Sequence, residues 1–398
     1  MKIALICKYA SLPGEGLLTR IYYMADFLNQ SGATVDLYIS DSNHLKHGSI
    51  ALEKTRLVRP GFNVHIVKSI GYSRGGKYSR LLSWLLFDLK VFIILLFKKK
   101  RDIYIASSPS LISGLVGILL KKIKSSKFIF DIRDFWPDVL VEEVYMNKNS
   151  VPLRVLYLME RLILRGSDMV TSSVPNIKLY LEHKNVEIDY LVWPICFDKN
   201  LTFIENKRIV ESKPGKLHVG YAGSIGDTNN LDAFFTAVIQ LKDDNRFHFS
   251  IVGSGSKLQQ YKDLCKELEN ISFYDQIDKK FIAEFYKHID LVYIATHDSS
   301  LWQYGQSLNK VVDAMYFAKP ILFGYPSDGF DDMIKASRCG WQVSPNSPLE
   351  IVSQLMKLYE IRVQLPAVGS LGQDWLSINR NYSERYPQLS KTLMQSLE

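Results

Sequence analysis

QYGQSLNKVVDAMYFAKP, from Gln303 to Pro320, reads as a polar glycine turn feeding a short helix. At 3.6 residues per turn, Asn309, Lys310 and Asp313 fall within an arc of about 100°, while Leu308, Val311, Val312, Met315 and Tyr316 take the opposite side. One face packs and the other is left for binding. A strand-like run, LVYIA (Leu291 to Ala295), precedes the helix and PILFG (Pro320 to Gly324) follows it, so its N-terminus lies at the carboxyl ends of a parallel sheet. Anions and nucleotides bind there, because the first N–H groups of a helix have no partner within it. Lys310 suits a nucleotide diphosphate and Asp313 a ribose or sugar hydroxyl, with Ser307 and Asn309 beside them. Taken alone, the segment reads more simply as a surface helix with a solvated polar face. The rest of the chain decides between the two.

Outward from this helix, β-branched and aromatic runs alternate with helical patterns twice over. KIALICKYA, TVDLYIS, VHIVKSI, DIYIASS, KFIFDIR, DMVTSS and IDYLVWP read as strands in the first half. HVGYAGS, FHFSIVG, ISFYDQI, LVYIATH, PILFGYP and GWQVSP do so in the second. The alternation predicts an α/β protein with two Rossmann-like, doubly wound parallel-sheet domains facing a cleft. Their expected bounds are 1–195 and 216–372, joined by an aperiodic linker at 196–215. A helical tail, 373–398, is expected to break at Pro387 and to cross back onto the first domain. No repeat at a solenoid period interrupts this order.

Length and composition agree with two domains: 398 residues, 47% hydrophobic and 23% charged. Cys7, Cys196, Cys265 and Cys339 are scattered without CxxC or Cys/His spacing, which argues against a disulfide framework and a zinc site and for reducing, cytoplasmic surroundings. MKIALICKYA has too short an apolar run for a signal peptide and reads as the first strand. A net charge of +8 asks for an acidic partner, with Lys98, Lys99, Lys100 and Arg101 in one block and Lys121, Lys122, Lys124 and Lys127 in another. No aromatic-interleaved basic repeat or helix-turn-helix pattern accompanies them, so nucleic acid is not the expected partner. LLSWLLFDLKVFIILLF (Leu81 to Phe97) is interrupted by Asp88 and Lys90. Two such charges cost roughly 5–7 kcal/mol at a bilayer centre, and the run falls short of the usual ~20 residues, so it is not expected to span. Burial against the first sheet and docking at an anionic membrane surface both remain open, and the two are compatible.

Glycine placement marks the loops at strand ends. SLPGEGLLTR carries Gly14 and Gly16; GYAGSIGD carries Gly220, Gly223, Ser224 and Gly226; IVGSGSKL carries Gly253, Gly255 and Lys257. Each lets backbone N–H groups approach a phosphate, yet none has the full dinucleotide fingerprint, and any one alone reads equally as a turn. Three such loops at strand-to-helix junctions argue together for a phosphate-bearing ligand.

These segments resemble the retaining glycosyltransferases of family four, which have the two-Rossmann GT-B architecture, over essentially the whole chain. The family's glycine loop after the first strand corresponds to PGEG, its second-domain GxxG loop to GYAGSIG, its next glycine pair to VGSGSKL, and its A-x-K-P turn to AMYFAKP. A subgroup that builds bacterial surface polysaccharides, including N-acetyl-fucosamine transferases, carries DxRDxWPE and YGxSxNKxxDYM. Here the matching stretches are DIRDFWPD (Asp131 to Asp138) and YGQSLNKVVDAM. The resemblance implies transfer of an N-acetylated or 6-deoxy hexosamine from a nucleotide-sugar, UDP-linked, to a polyprenyl-diphosphate-linked or other saccharide acceptor. It places the protein in O-antigen (lipopolysaccharide) or capsule synthesis, peripheral on the inner face of the bacterial plasma membrane.

Departures from the family pattern bear on the chemistry. Of the two glutamates that most members space eight apart, the sugar-touching position holds Gly305 and the ribose-touching position Asp313. The cation that many members place beside the second glycine loop is missing, with Asp227 there instead; Lys310 is the candidate to supply the charge, with Arg20 and Lys257 in reserve. Catalysis of this kind holds the donor and stabilises charge on the departing diphosphate. It needs no cofactor or metal, and no DxD or His/carboxylate cluster offers one. At the end of KFIFD, Asp131, Arg133 and Asp134 would face the cleft. Asp134 would orient or deprotonate the acceptor hydroxyl and Arg133 would pair with phosphate, unless the two form an internal ion pair. A sugar-nucleotide 2-epimerase of the same architecture, or a catalytically silent nucleotide-sugar binder, shares all the donor features and stays open.

Overall fold

The structure, a computed structural model, describes residues 1–14, 18–41, 55–69, 77–142, 146–199, 201–204, 210–211, 213–331 and 333–397. It divides into two compact units, one of Met1–Pro194 with Tyr382–Glu398 and one of Ile195–Asn381.

The first unit is built on β1 (Lys2–Ile6), β2 (Thr34–Ser40), β3 (Thr55–Arg59), β4 (Phe62–Val67), β5 (Ile103–Ser107), β6 (Lys127–Ile132), β7 (Met169–Ser172) and β8 (Tyr190–Val192), in the order β3-β4-β2-β1-β5-β6-β7-β8. Among the described residues of this sheet only the β3/β4 pair is antiparallel. β3, TRLVR, was not legible as a strand: it is an outermost, largely exposed edge studded with arginines, which blunts it against further pairing. The second unit holds β9 (Leu217–Ser224), β10 (Phe247–Ser254), β11 (Ile271–Tyr274), β12 (Leu291–Ala295), β13 (Ile321–Gly324) and β14 (Gly340–Val343), all parallel, in the order β11-β10-β9-β12-β13-β14. In each sheet the strand order reverses beside the first strand, at β1/β5 and at β9/β12, where doubly wound folds open a ligand crevice.

Helices cover both faces of each sheet, which is why β1, β5 and β12 read as continuous apolar runs. In the first unit these are α1 (Arg20–Gln30), α2 (Lys77–Phe97), α3 (Leu111–Lys124), α4 (Asp138–Glu142), α5 (Val151–Gly166) and α6 (Ile177–His183). In the second they are α7 (Asp232–Gln240), α8 (Leu258–Leu264), α9 (Ile282–Lys287), α10 (Asn309–Tyr316), α11 (Ile334–Ser337), α12 (Pro348–Glu360) and α13 (Leu365–Asn379). α14 (Tyr382–Gln395) returns to the first unit and packs on α1, with Tyr382 stacked on Tyr23 at 4.1 Å between centroids. The expected break at Pro387 does not occur. Pro387 sits inside α14, and the chain turns earlier, at Arg380–Asn381, where Phe197 N–H bonds the Arg380 carbonyl.

α2 reverses the polarity that its sequence suggests. Asp88 is fully buried, accepting from Ser110 Oγ at 2.6 Å and Ser113 Oγ at 2.5 Å, whereas its neighbour Leu89 is 48% exposed. Burial pushes the Asp88 carboxyl up to about 6, against the pull of the two hydroxyls. Trp84, Phe87, Val91 and Leu95 share that inward face. Among the described residues no helix is long and apolar enough to cross a membrane.

Candidate donor site at the second strand-order reversal

α10 follows β12, and its first turn stands at the β9/β12 reversal. Lys310 reaches across that reversal to the neighbouring strand: Nζ donates to Tyr221 Oη at 2.9 Å and to Asn229 Oδ1, and lies 4.8 Å from the Tyr221 ring centroid. Tyr221 Oη gives its own proton to Ser224 O at 2.5 Å, leaving its lone pairs to face the lysine. The Lys310 side chain is only partly covered, so a ligand can reach it. Its ammonium is nonetheless enclosed enough that burial lowers its pKa to about 7. Among the described residues no carboxylate pairs with it. A cation in the first turn of a helix also opposes the macrodipole. Burial, the dipole and the missing counter-ion all favour an anion at this point.

Close approach, more than phosphate cradling, explains the glycines. A Cβ on Gly223 would stand 2.5 Å from Lys310 Cε, so its absence is what lets the lysine through. A Cβ on Gly253 would meet Gly223 O at 1.9 Å, and one on Gly255 would meet Ile225 O at 2.0 Å. The carboxyl ends of β9 and β10 and the residues just beyond them thus pack backbone on backbone, and Gly253 and Gly255 serve that contact. Gly226 has room, Gly14 lies in an open turn, and Gly16 lies outside the described residues. Lys257 is already committed as well: it pairs with Asp232 at 3.0 Å and Asp227 at 3.4 Å, which corrects its reserve role.

At the start of α10 the loop presents donors. Gln306 is 2% exposed; its Oε1 accepts Leu308 N–H at 2.9 Å, which fixes the amide so that Nε2 is the free donor, and Nε2 has no partner among the described residues. Ser307 Oγ is likewise buried without a partner. Buried polar atoms are rarely left so, at a cost of about 1–3 kcal/mol each, and here they mark where acceptor oxygens belong. Gln306 went unnoticed in the sequence because a lone glutamine carries no signal. Gly305 adopts φ +101°, a region that essentially only glycine enters, so the absent glutamate is built into this loop. Asn309 begins the helix, and half-buried Asp313 pairs with Lys279 at 3.0 Å.

In the first unit the buried ion pair is not the one considered from sequence. Arg20 binds Asp131 through both terminal nitrogens at 2.9 and 2.8 Å and donates to Trp193 O at 2.6 Å. Burial works against the Asp131 carboxylate, but Arg20, Ser107 and Thr171 outweigh it and hold its pKa below the usual range. Asp131 and Arg20 are therefore structural, a correction to both. Arg133 is half-buried, with a guanidinium nitrogen 3.8 Å from Cys7 Sγ, and Asp134 is exposed; no salt bridge joins them among the described residues. Sequence reasoning also missed Lys8, whose buried amine donates to Ser69 Oγ at 3.1 Å and Ser83 Oγ at 3.0 Å, with burial lowering its pKa to about 8. Among the described residues no group of three His, Cys, Asp or Glu side chains could hold a metal ion.

Residues 216–360, within the second unit, match the family model described as Glycosyl transferases group 1. An uncharacterized glycosyltransferase of Methanocaldococcus jannaschii is 23% identical over 308 residues, covering 74% of this chain and 76% of that protein. Sucrose-phosphate synthase from Thermosynechococcus elongatus aligns over 99% of this chain and 98% of its own, with a TM-score of 0.73 at 14% identity. HepE from Anabaena, solved in complex with UDP and glucose, aligns over 99% of each chain with a TM-score of 0.67 at 14% identity. The structural likeness shows the GT-B fold, and with the family match it supports glycosyltransferase activity of the group 1 kind.

Proposed function

We propose that this chain, a GT-B glycosyltransferase of the group 1 kind, holds the diphosphate of a nucleotide-sugar at Lys310 and passes the sugar, with retained configuration, to a saccharide on a polyprenyl diphosphate. The observation that carries the reading is a partly covered lysine whose enclosed ammonium has no counter-ion among the described residues, at a helix N-terminus and a strand-order reversal. A UDP-linked donor is favoured by the UDP in the HepE structure. The DIRDFWPD and YGQSLNKVVDAM stretches favour an N-acetylated or 6-deoxy hexosamine, in O-antigen or capsule assembly at the inner face of a bacterial plasma membrane.

As the glycosidic bond to the diphosphate breaks, negative charge grows on the leaving oxygen. Lys310 and the first N–H groups of α10 stabilise it, and their positions are set before the reaction, so little reorganisation is needed. Gln306 Nε2 and Ser307 Oγ donate to phosphate or sugar oxygens, and Asp313, which Lys279 holds in place, accepts a ribose hydroxyl. Asp134 orients the acceptor hydroxyl and takes its proton, and Arg133 binds acceptor phosphate. No step is assigned to a metal.

A panel of UDP-, GDP- and TDP-sugars, assayed for nucleoside diphosphate release with and without membrane lipid extract, tests the reading. Release that depends on the extract, with the sugar recovered in the lipid phase, is expected. Conversion of the donor to an epimer without any acceptor would make the protein an isomerase. Binding without turnover under either condition would make it a silent member.

A further inference from the structure

We infer that α2, α3 and α5 together form a docking face for an anionic lipid bilayer. This deepens the proposed function, since a lipid-linked acceptor gives the face its purpose, but it is read without turnover. The three helices lie side by side in the order α2-α3-α5. Gly114 of α3 and Gly166 at the end of α5 allow the second pair to close, each facing an isoleucine of the other helix at under 3 Å from where a Cβ would be.

Each helix turns an apolar stripe away from the core. On α2, Leu81, Leu85, Leu89, Ile93 and Phe97 recur every four residues, opposite the buried Phe87, Val91 and Leu95. On α3, Leu119 and Ile123 continue the surface. On α5 the stripe is Val151, Val155, Leu158 and Leu162, all at least half exposed, and it lies opposite the buried Leu153 and Glu160. Together these eleven side chains leave more apolar surface in water than the few hundred Å² that a monomer ordinarily shows in one patch.

Charge identifies the occupant. The only carboxylates in these helices, Asp88 and Glu160, are both buried, so the helices turn cations outward and no carboxylate. The cations are not mainly those that the sequence singled out. Lys98 donates to Tyr38 Oη, Arg101 pairs with Asp36, Lys121 with Asp168, and Lys124 and Lys127 bond backbone carbonyls. The exposed set is Arg154, Arg161 and Arg165 along one flank of the α5 stripe, with Lys122 and Lys99–Lys100 beyond it. Two copies of this face would oppose cation to cation, and nucleic acid has no use for the stripes. An anionic bilayer satisfies both features, taking the stripes into its interface and the arginines among its headgroups.

The full chain floated with vesicles of phosphatidylcholine, alone or mixed with phosphatidylglycerol, tests this at low and high salt. Binding to the mixed vesicles alone, weakened by salt, is expected. R154Q/R161Q should reduce it about twenty- to thirtyfold, at about fivefold per arginine, and L85Q/L89Q or V155Q/L158Q should also lower it strongly. These residues are exposed, so calorimetric nucleotide-sugar affinity should stay at the wild-type value and report an intact donor site. Failure of donor binding in the wild type would count against the proposed function and leave the docking result standing. No binding to anionic vesicles at low salt overturns the inference, as do α5 variants that float like wild type. A concentration-dependent dimer lost in the same variants would make the face a self-association surface and overturn it too.

Discussion

Lys310→Met should raise the stability of the ligand-free protein and lower its affinity for nucleotide-sugar, two effects of opposite sign. Burial displaces the amine from 10.5 to about 7, which at 1.36 kcal/mol per unit corresponds to ~5 kcal/mol against the charged form. Partial exposure of the side chain discounts this by about a third. Losing the bonds to Tyr221 and Asn229 removes about 1 kcal/mol each. A net gain on the order of 1–2 kcal/mol remains, a rise of a few degrees in melting temperature. Because the folded pKa lies below the unfolded one, the unfolded chain binds more protons between about 7 and 10.5. Wild-type stability should therefore climb with pH through that window, and the variant should lose the climb. In binding, a lost charge-assisted hydrogen bond is worth about 1.5–3 kcal/mol, or roughly ten- to 150-fold. Thermal unfolding across pH and calorimetric titration with the donor, on the same preparations, read both effects. A variant that melts earlier and binds the donor as tightly as wild type would show that Lys310 is a structural residue.

Asp134→Asn should cut turnover at least tenfold while changing donor affinity little, as kcat and calorimetric Kd would show; full turnover would remove Asp134 from the chemistry. Gly253→Ala should destabilise the second unit by several kcal/mol in urea unfolding, because the new Cβ would stand 1.9 Å from Gly223 O; a neutral result would mean that the two strand ends are not packed as described. Arg20→Leu leaves Asp131 buried and uncompensated and should cost about 3–5 kcal/mol, part of which Arg20→Leu/Asp131→Leu restores. A single variant as stable as wild type would deny the pair its structural role.

The α/β class was legible because both sheets, apart from the edge strand β3, are parallel and covered on both faces, so their strands are largely apolar runs. β3 was not, since an edge strand of arginines has no apolar period to read. α10 and Lys310 were legible from the polar arc ahead of PILFG. Side-chain direction was not: whether Asp88 in an apolar run points inward depends on Ser110 and Ser113, more than twenty residues away, waiting to donate to it. The same limit hid the Arg20–Asp131 pair, whose partners lie 111 residues apart, and hid the carbonyl of the neighbouring strand that crowds Gly253. The lysine blocks misled for a related reason. Charge is countable in a sequence, but its availability is not: Lys98, Arg101, Lys121, Lys124 and Lys127 are held by a hydroxyl, carboxylates or carbonyls of their own unit.

Proton uptake on donor binding tests the role of Lys310 most directly. A nucleotide-sugar carries a diphosphate diester that does not titrate near neutrality, so any proton taken up belongs to the protein. Titration at about pH 8 in two buffers of different ionisation enthalpy should show uptake of about 0.9 proton per site, as an amine with a pKa of about 7 becomes fully charged beside the diphosphate. Affinity should fall nearly tenfold from about pH 8 to 9, and Lys310→Met should show neither effect. Donor binding with no proton uptake, equally tight in the methionine variant, would contradict a diphosphate held by Lys310.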